Sequence, residues 1–320
     1  MNAIRRTFCA AALTALCSLA SAQPQKPLHL ILPVSAGSGV DAIVRSTTNA
    51  LAKAAGQPVI VENQPGAGGI TGTLAIVKAP ADGSTIGVVS NNHVTNPAVY
   101  KTLPFDSVAD ITPIAVLGST PFVLVVNPHK LPAANLDGLL ALLKAKPGVY
   151  NYASGGNGTI LHFAGAMFAD QAGVDIRHIP YKGVGPMITD LLGGQVDLAV
   201  TSLPSVQGHL KTGALRAIGV CGRERTPAAP DIPTLAEQGL PGYEAAGWFA
   251  AIGPAKLPAA EVKRLHDAWV ATFADPEVKA AMARQGNDIR VTSPEEAARF
   301  FRAEVDKYQA LSKKIGMQID

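Results

Sequence analysis

From residue 28 onward, short apolar runs alternate with amphipathic helical patterns. That alternation restricts the chain to folds built on parallel strands with helices on their faces. Residues 28–34 read as a buried strand and 41–55 as a helix, with Ile43, Val44, Thr47 and Leu51 on one side and Gly56 as its stop. A strand over 58–61, a helix over 70–78 and a strand over 85–90 complete a first unit. The pattern restarts with a strand at 122–126, then a helix over 136–144, a strand over 149–153 and a helix over 159–171. Strand 174–179, helix 186–192 and strand 196–201 follow. After the apolar stretch 247–252 come three charged helical segments, 259–273, 276–285 and 294–315, which read as outer helices laid on a sheet already built. A chain that crosses between sheets near 119–122 and again near 243–248 makes an α/β fold of two lobes, each a mainly parallel sheet flanked by helices, with a hinge of two crossovers. The expected division is residues 23–121 plus 248–320 for one lobe and 122–247 for the other.

The first 22 residues stand apart. Arg5 and Arg6 precede an apolar stretch at 8–19, and Ala20-Ser21-Ala22 supplies small residues before Gln23. Residues 1–22 therefore read as an export signal cleaved after Ala22, too short to span a membrane as a helix. Removing Arg5 and Arg6 from the 27 basic residues leaves 25 against 24 acidic ones. Charged residues make up 16% of the chain, below the ~25% usual for soluble domains, and no stretch clusters Lys and Arg with aromatics. A nucleic-acid surface is excluded on that balance. Of the three cysteines only Cys221 follows the signal, inside the apolar run 215–221. The exported chain then has no internal disulfide, and the expected state of Cys221 is a buried, inert thiol.

Two loops carry the functional signal. Pro33-Val34-Ser35-Ala36-Gly37-Ser38-Gly39-Val40-Asp41 joins the first strand to its helix, and Ser154-Gly155-Gly156-Asn157-Gly158-Thr159 does the same in the second half. Small residues let the backbone approach a ligand, and the helix start offers free N–H groups and the positive end of the dipole. Either loop alone is a weak sign; facing each other across a cleft, they suit a ligand with a carboxylate at each end. Neither is a dinucleotide fingerprint, since Gly37 and Gly39 are followed by Ala42, and no nucleoside triphosphate loop is present. Asp41 reads either as a first-turn acid favoured by the dipole or as a functional group that fixes the loop by accepting backbone N–H bonds or contacts a polar ligand group.

In combination these motifs resemble a family. The run Val59-Ile60-Val61-Glu62-Asn63-Gln64-Pro65-Gly66-Ala67-Gly68-Gly69 follows the first loop. Later come Asp82-Gly83-Ser84-Thr85, Pro180-Tyr181-Lys182-Gly183, Leu191-Leu192-Gly193-Gly194-Gln195-Val196-Asp197 and Pro230-Asp231-Ile232-Pro233-Thr234-Leu235. Taken in order over the whole exported chain, they are similar to the Bug-type extracytoplasmic solute receptors of tripartite tricarboxylate transporters. The resemblance implies a two-lobed periplasmic binding protein of the type II-like class that closes on a small carboxylate. It implies delivery to the membrane subunits of such a transporter, and the expected protein is a monomer without cofactor or metal. The positions it carries over are Ser35, Ala36, Gly37, Ser38, Gly39 and Asp41, facing Gly156, Asn157, Gly158 and Thr159; Ser154, at the start of the second loop, is a further candidate. Ser38 stands where the family often has glycine, and Asn91 and His93 add side-chain donors after the third strand. A dicarboxylate follows as the expected ligand, with an aromatic one such as terephthalate, which some of these receptors bind, among the options.

Further candidates come from strand ends. His93 and His162 read equally as structural histidines or ligand contacts, and none of the seven histidines has metal-ligand spacing. Tyr181, Thr201 and Ser202 follow strands and are candidates to offer hydroxyls to the cleft. Trp248 and Trp269 read as core or hinge packing. No Gly-x-Ser-x-Gly elbow exists. The alternative to a binding protein is an exported hydrolase of small esters that uses His93 or His162 with a nearby serine.

Overall fold

The structure is a computed structural model and describes residues 26–317, so the expected signal over 1–22 and its cleavage after Ala22 lie outside the described residues. The elements run β1 (Leu28–Leu32), α1 (Gly39–Ala55), β2 (Val59–Asn63), a short 3-10 turn (Ala67–Gly69), α2 (Ile70–Val77), β3 (Thr85–Ser90) and α3 (Asn92–Val99). They continue with β4 (Ile111–Val126), α4 (Leu136–Ala145), β5 (Asn151–Ser154), α5 (Ile160–Ala172), β6 (Arg177–Pro180), α6 (Val184–Leu192), β7 (Leu198–Ser202) and α7 (Leu203–Lys211). Last come β8 (Arg216–Val220), β9 (Ala246–Pro254), α8 (Ala259–Ala274), α9 (Pro276–Gln285), β10 (Asp288–Ile289) and α10 (Pro294–Ile315). No helix among the described residues is long and apolar enough to cross a membrane.

Each lobe holds a parallel triplet. In the first, β1 lies between β2 and β3, with Leu30 opposite Val61 and Ile86. In the second, β5 lies between β6 and β7, with Ala153 opposite Ile179 and Ala199. The strands that carry the chain between lobes run antiparallel to their neighbours. β9 pairs with β3 and with the first part of β4, where Thr120 faces Gly247. From Phe122 to Val126, β4 changes partners and lies between β7 and β8. The strands thus form one continuous path through both lobes.

The packing explains this division. Ile43, Val44 and Leu51 of α1 and Trp269 and Phe273 of α8 bury against Leu28, Leu30 and Leu32 of the first sheet. A second core runs from Ile76 and Val94 through Phe122–Val126 into Phe163, Leu191 and Val200 of the other lobe. Cys221 is fully buried within it, and burial pushes its thiol pKa up to about 12, as an inert structural cysteine requires.

Several elements differ from the sequence reading. β4 begins at Ile111, eleven residues before the expected strand at 122, because its first part pairs with β9. The segment expected as a polar loop around Asn91 and His93 opens α3, which contains Pro97 and is held by its packing against α10. α7 follows β7, where no helix was expected. The charged C-terminal segments include one two-residue strand, β10, paired with Ser119 and Gly118 of β4.

Candidate functional site

The helices α1, α2 and α3 each follow a parallel strand of the first lobe, and α5, α6 and α7 each follow one of the second. Ligands collect at the carboxyl ends of such strands. Here all six helix starts line one cavity of ≈ 340 Å³ between the lobes: Ser38, Gly69, Asn92, Thr159, Val184 and Ser202 each belong to its wall. The first-turn N–H groups of a helix lack intrahelical acceptors and carry about half a positive charge between them. Among the described wall residues Lys182 is the single charged side chain, and none is acidic. Such a site attracts anions through backbone dipoles rather than through paired side-chain charges.

The two glycine turns are built alike. In the first, Gly37 has φ 78° and Ser38 caps α1 by accepting from Asp41 N at 3.2 Å. The Asp41 carboxylate in turn accepts Gly37 N at 3.0 Å. Arg45 Nε at 2.9 Å and Asn63 Nδ2 at 3.0 Å hold its other oxygen. Burial opposes the ionisation of Asp41, but Arg45, the Gly37 N–H and Asn63 outweigh it, and the pKa lies below the ordinary carboxylate value. In the second turn Gly158 has φ 69° and Thr159 caps α5 by accepting from His162 N at 3.4 Å. His162 Nδ1 accepts Gly158 N at 3.1 Å. Its ring stacks on His178 at 3.7 Å, and His178 Nε2 meets Ser154 Oγ at 2.7 Å. Burial pushes the pKa of His162 down to about 4; burial and the neighbouring His162 push His178 down to about 3. Both rings are neutral at pH 7.

The lobes touch beside the cavity. Gly185 N donates to Ser35 Oγ at 3.1 Å, Ile160 N to Asn92 Oδ1 at 2.9 Å, Thr95 Oγ1 to the Gly158 carbonyl at 2.8 Å, and Tyr100 OH to the Asn157 carbonyl at 3.1 Å. A Cβ on Gly185 would fall 2.6 Å from the Ala36 carbonyl oxygen, and one on Gly39 would collide with Ser202 Oγ. Only glycine at these positions lets the two sides approach so closely.

The expected site residues fall into two groups. Ser35, Ser38, Gly39, Asn91, Gly156, Asn157, Thr159, Tyr181 and Ser202 line the cavity. Ala36, Gly37, Asp41, Ser154, Gly158, His162 and Thr201 do not; apart from Thr201, which is fully buried, they lie in or directly behind the two turns. His93 is removed from the cavity altogether. Its Nε2 meets the Ser107 carbonyl at 2.6 Å, Phe105 lies parallel to its ring, and burial pushes its pKa down to about 4. The Tyr181 hydroxyl donates to Asp190 at 2.8 Å, and burial with that contact pushes its pKa up to about 12. The sequence reading missed Phe122, Thr120 and Gly247 on the cavity wall. Trp248, read as packing, has its ring against Phe300 and Phe301 of α10, and its Nε1 donates to Glu304 at 2.8 Å. It also did not place the Pro65–Gly69 segment at the wall, where Gly66, Ala67, Gly68 and Gly69 all have positive φ.

Comparison with known proteins points the same way. Residues 43–317 match the family model described as tripartite tricarboxylate transporter family receptor. The structure of periplasmic binding protein BugD is similar at 29% identity and TM-score 0.88, covering 92% of this chain and 99% of that one. Rpa4515 of R. palustris with adipate is also similar at 29% identity and TM-score 0.88, with the same coverage of 92% and 99%. MatC from Rhodopseudomonas palustris with bound malate follows at 26% identity and TM-score 0.84, covering 90% and 99%. These relatives are solute-binding proteins, not enzymes.

Proposed function

The chain belongs to the tripartite tricarboxylate transporter family of receptors, and from that premise we propose that it captures a small dicarboxylate in the periplasm by closing its lobes on it, for delivery to the membrane subunits of such a transporter. The observation that carries this reading is the convergence of six helix starts on one cavity whose walls hold no carboxylate. The adipate and malate found in two similar structures support the ligand class. Apolar walls such as Val34, Leu161 and Phe122 suit a ligand with an apolar middle, so an aromatic dicarboxylate such as terephthalate falls within the class.

In this reading Ser35, Ser38 and Gly39 of one lobe and Gly156, Asn157 and Thr159 of the other receive the two carboxylates. Residues 23–121 with 248–320 swing against 122–247, and residues 1–22 direct export and are removed. The open form docks one carboxylate on one turn. Closure then brings the second turn over the other end, excludes water and strengthens every N–H···O contact. Closure is the signal a membrane partner can recognise.

A thermal-shift screen of the protein from Gln23 onward tests this. The panel holds aliphatic dicarboxylates, citrate, acidic amino acids, benzoate and the phthalate isomers. A ligand at a hundred times its dissociation constant adds about 2.7 kcal/mol of stability. Stabilisation by dicarboxylates and none by benzoate is the expected result; silence across the panel from folded protein contradicts the proposal.

A further inference from the structure

α3 of the first lobe lies against the second glycine turn, and the contact pairs side chains of one lobe with backbone of the other. Asn92 and Thr95 stand three residues apart on one face of α3, and Tyr100 closes its C-terminal end. Asn92 Oδ1 accepts Ile160 N at 2.9 Å. Thr95 Oγ1 donates to the Gly158 carbonyl at 2.8 Å, and Tyr100 OH donates to the Asn157 carbonyl at 3.1 Å. Gly158 is therefore held from both sides: its N–H by His162 of its own lobe, its carbonyl by Thr95 of the other.

The rest of α3 is anchored in the first lobe. Val94 and Val99 are buried in the core, and the His93 ring packs against Phe105 and Phe301. Asn96 Nδ2 donates to the Gly68 carbonyl at 3.3 Å. A helix of eight residues that contains Pro97 has little stability of its own, so this packing fixes where its polar face points. Thr95 separates the contact between lobes from contact with a ligand. It is fully buried and is not part of the cavity wall, whereas Asn92 and Tyr100 reach that wall. Its Oγ1 also lies 3.4 Å from the Asn92 carbonyl, a longer contact than the one to Gly158.

Resting on the reading above, in which the lobes close on a dicarboxylate, we propose that α3 is the latch between them and that Thr95, with Asn92 and Tyr100, is a positioning residue that holds the closed form. A ligand that needs the closed form has an apparent dissociation constant equal to the intrinsic one divided by the closed fraction. The latch joins protein groups alone, so weakening it lowers affinity by the same factor for every ligand. Docking takes place on the open form, so the latch governs release and leaves association untouched.

The test is calorimetric and stopped-flow titration of the exported chain and its variants with adipate, terephthalate, succinate and malate. Thr95→Val keeps the volume and loses the hydroxyl. It should weaken every ligand that binds the wild type by about threefold, through faster release at an unchanged association rate, with the ranking preserved. Thr95→Ser restores the hydroxyl and should return wild-type release. Tyr100→Phe removes only an exposed hydroxyl, so it reads the latch should Thr95→Val fail to fold, and about twofold faster release is expected. Wild-type release from both hydroxyl-free variants, or losses that differ between ligands, overturn the proposal. Small-angle scattering without ligand reads the same balance: Thr95→Val should be more expanded than the wild type, and Thr95→Ser should match it. A wild type that binds none of the four overturns the dicarboxylate reading, and equal scattering from wild type and Thr95→Val then overturns the latch as well.

Discussion

In the first lobe the sequence Gly37-Ser38-Gly39-Val40-Asp41 starts a helix, and in the second Gly158-Thr159-Ile160-Leu161-His162 starts another with the same spacing. Each glycine takes a positive φ, each hydroxyl caps the helix, and each residue three beyond the cap turns back to accept the glycine N–H. The backbone geometry is shared, and the acceptors are opposite in kind. Asp41 is an anion behind a cavity lined by helix starts, and Arg45 and Asn63 hold it there. His162 needs no counter-charge, because burial keeps it neutral. A cradle for anions thus admits a negative support only with a cation attached, whereas a neutral support needs a dry environment. The first lobe takes one route and the second the other.

The most severe break of this symmetry is Gly158→Asp. It places a carboxylate in the neutral turn without an arginine to balance it, and about a hundredfold loss of dicarboxylate affinity is expected. Calorimetry reads it, and unchanged affinity would remove the second turn from the site.

Next in size is Asp41→Ala. It leaves the Gly37 N–H, Arg45 and Asn63 without their shared acceptor and should cost about 2–3 kcal/mol of stability in denaturant unfolding. A cost below about 0.5 kcal/mol would show that the charged support is dispensable.

His162→Ala removes one neutral acceptor and a ring contact and should cost about 1–2 kcal/mol. His162→Gln, which returns an acceptor at the same helical position, should recover part of that loss. Equal costs for the two alanine variants would erase the distinction between supports.

The smallest effect is in pH dependence. An unfolded histidine takes its proton near 6.5, but His162 takes one only near 4 in the folded protein. Between those values the unfolded state binds more protons, so stability falls as pH drops through that window. His178, packed against the same ring, and the distant His93 act in the same direction. Asp41 contributes stability that is lost further into acid, as pH falls through its lowered pKa. Stability curves from pH 7 to 4 should therefore be flatter for His162→Gln than for the wild type, and parallel curves would contradict the assignment.

Much of this architecture was legible in the chain itself. Apolar periodicity marked both parallel triplets, and glycine placement marked both turns, because these are local signals. The donor-rich segment at Asn91 did not read as a helix, since Pro97 and a short length mask α3, which tertiary packing holds in place. His93 was a candidate contact because it follows a strand, but its burial against Phe105 and Phe301 depends on a loop after α3 and on α10 far along the chain. Thr120 and Gly247 meet at the cavity wall only through the register of β4 and β9, which spacing along the chain cannot express. The parallel between Asp41 and His162 was present as matched spacing. Its meaning needed the two side chains to be seen bonded to the glycine N–H groups.

The central claim is that both lobes hold one carboxylate of the same ligand. Calorimetric titration of the exported chain with adipate and with its monomethyl ester tests this most directly. The account predicts that the dianion binds and that the ester, which retains one charge and nearly the same length, binds at least about tenfold more weakly. Equal affinity for the two, or tighter binding of the ester, would contradict the claim.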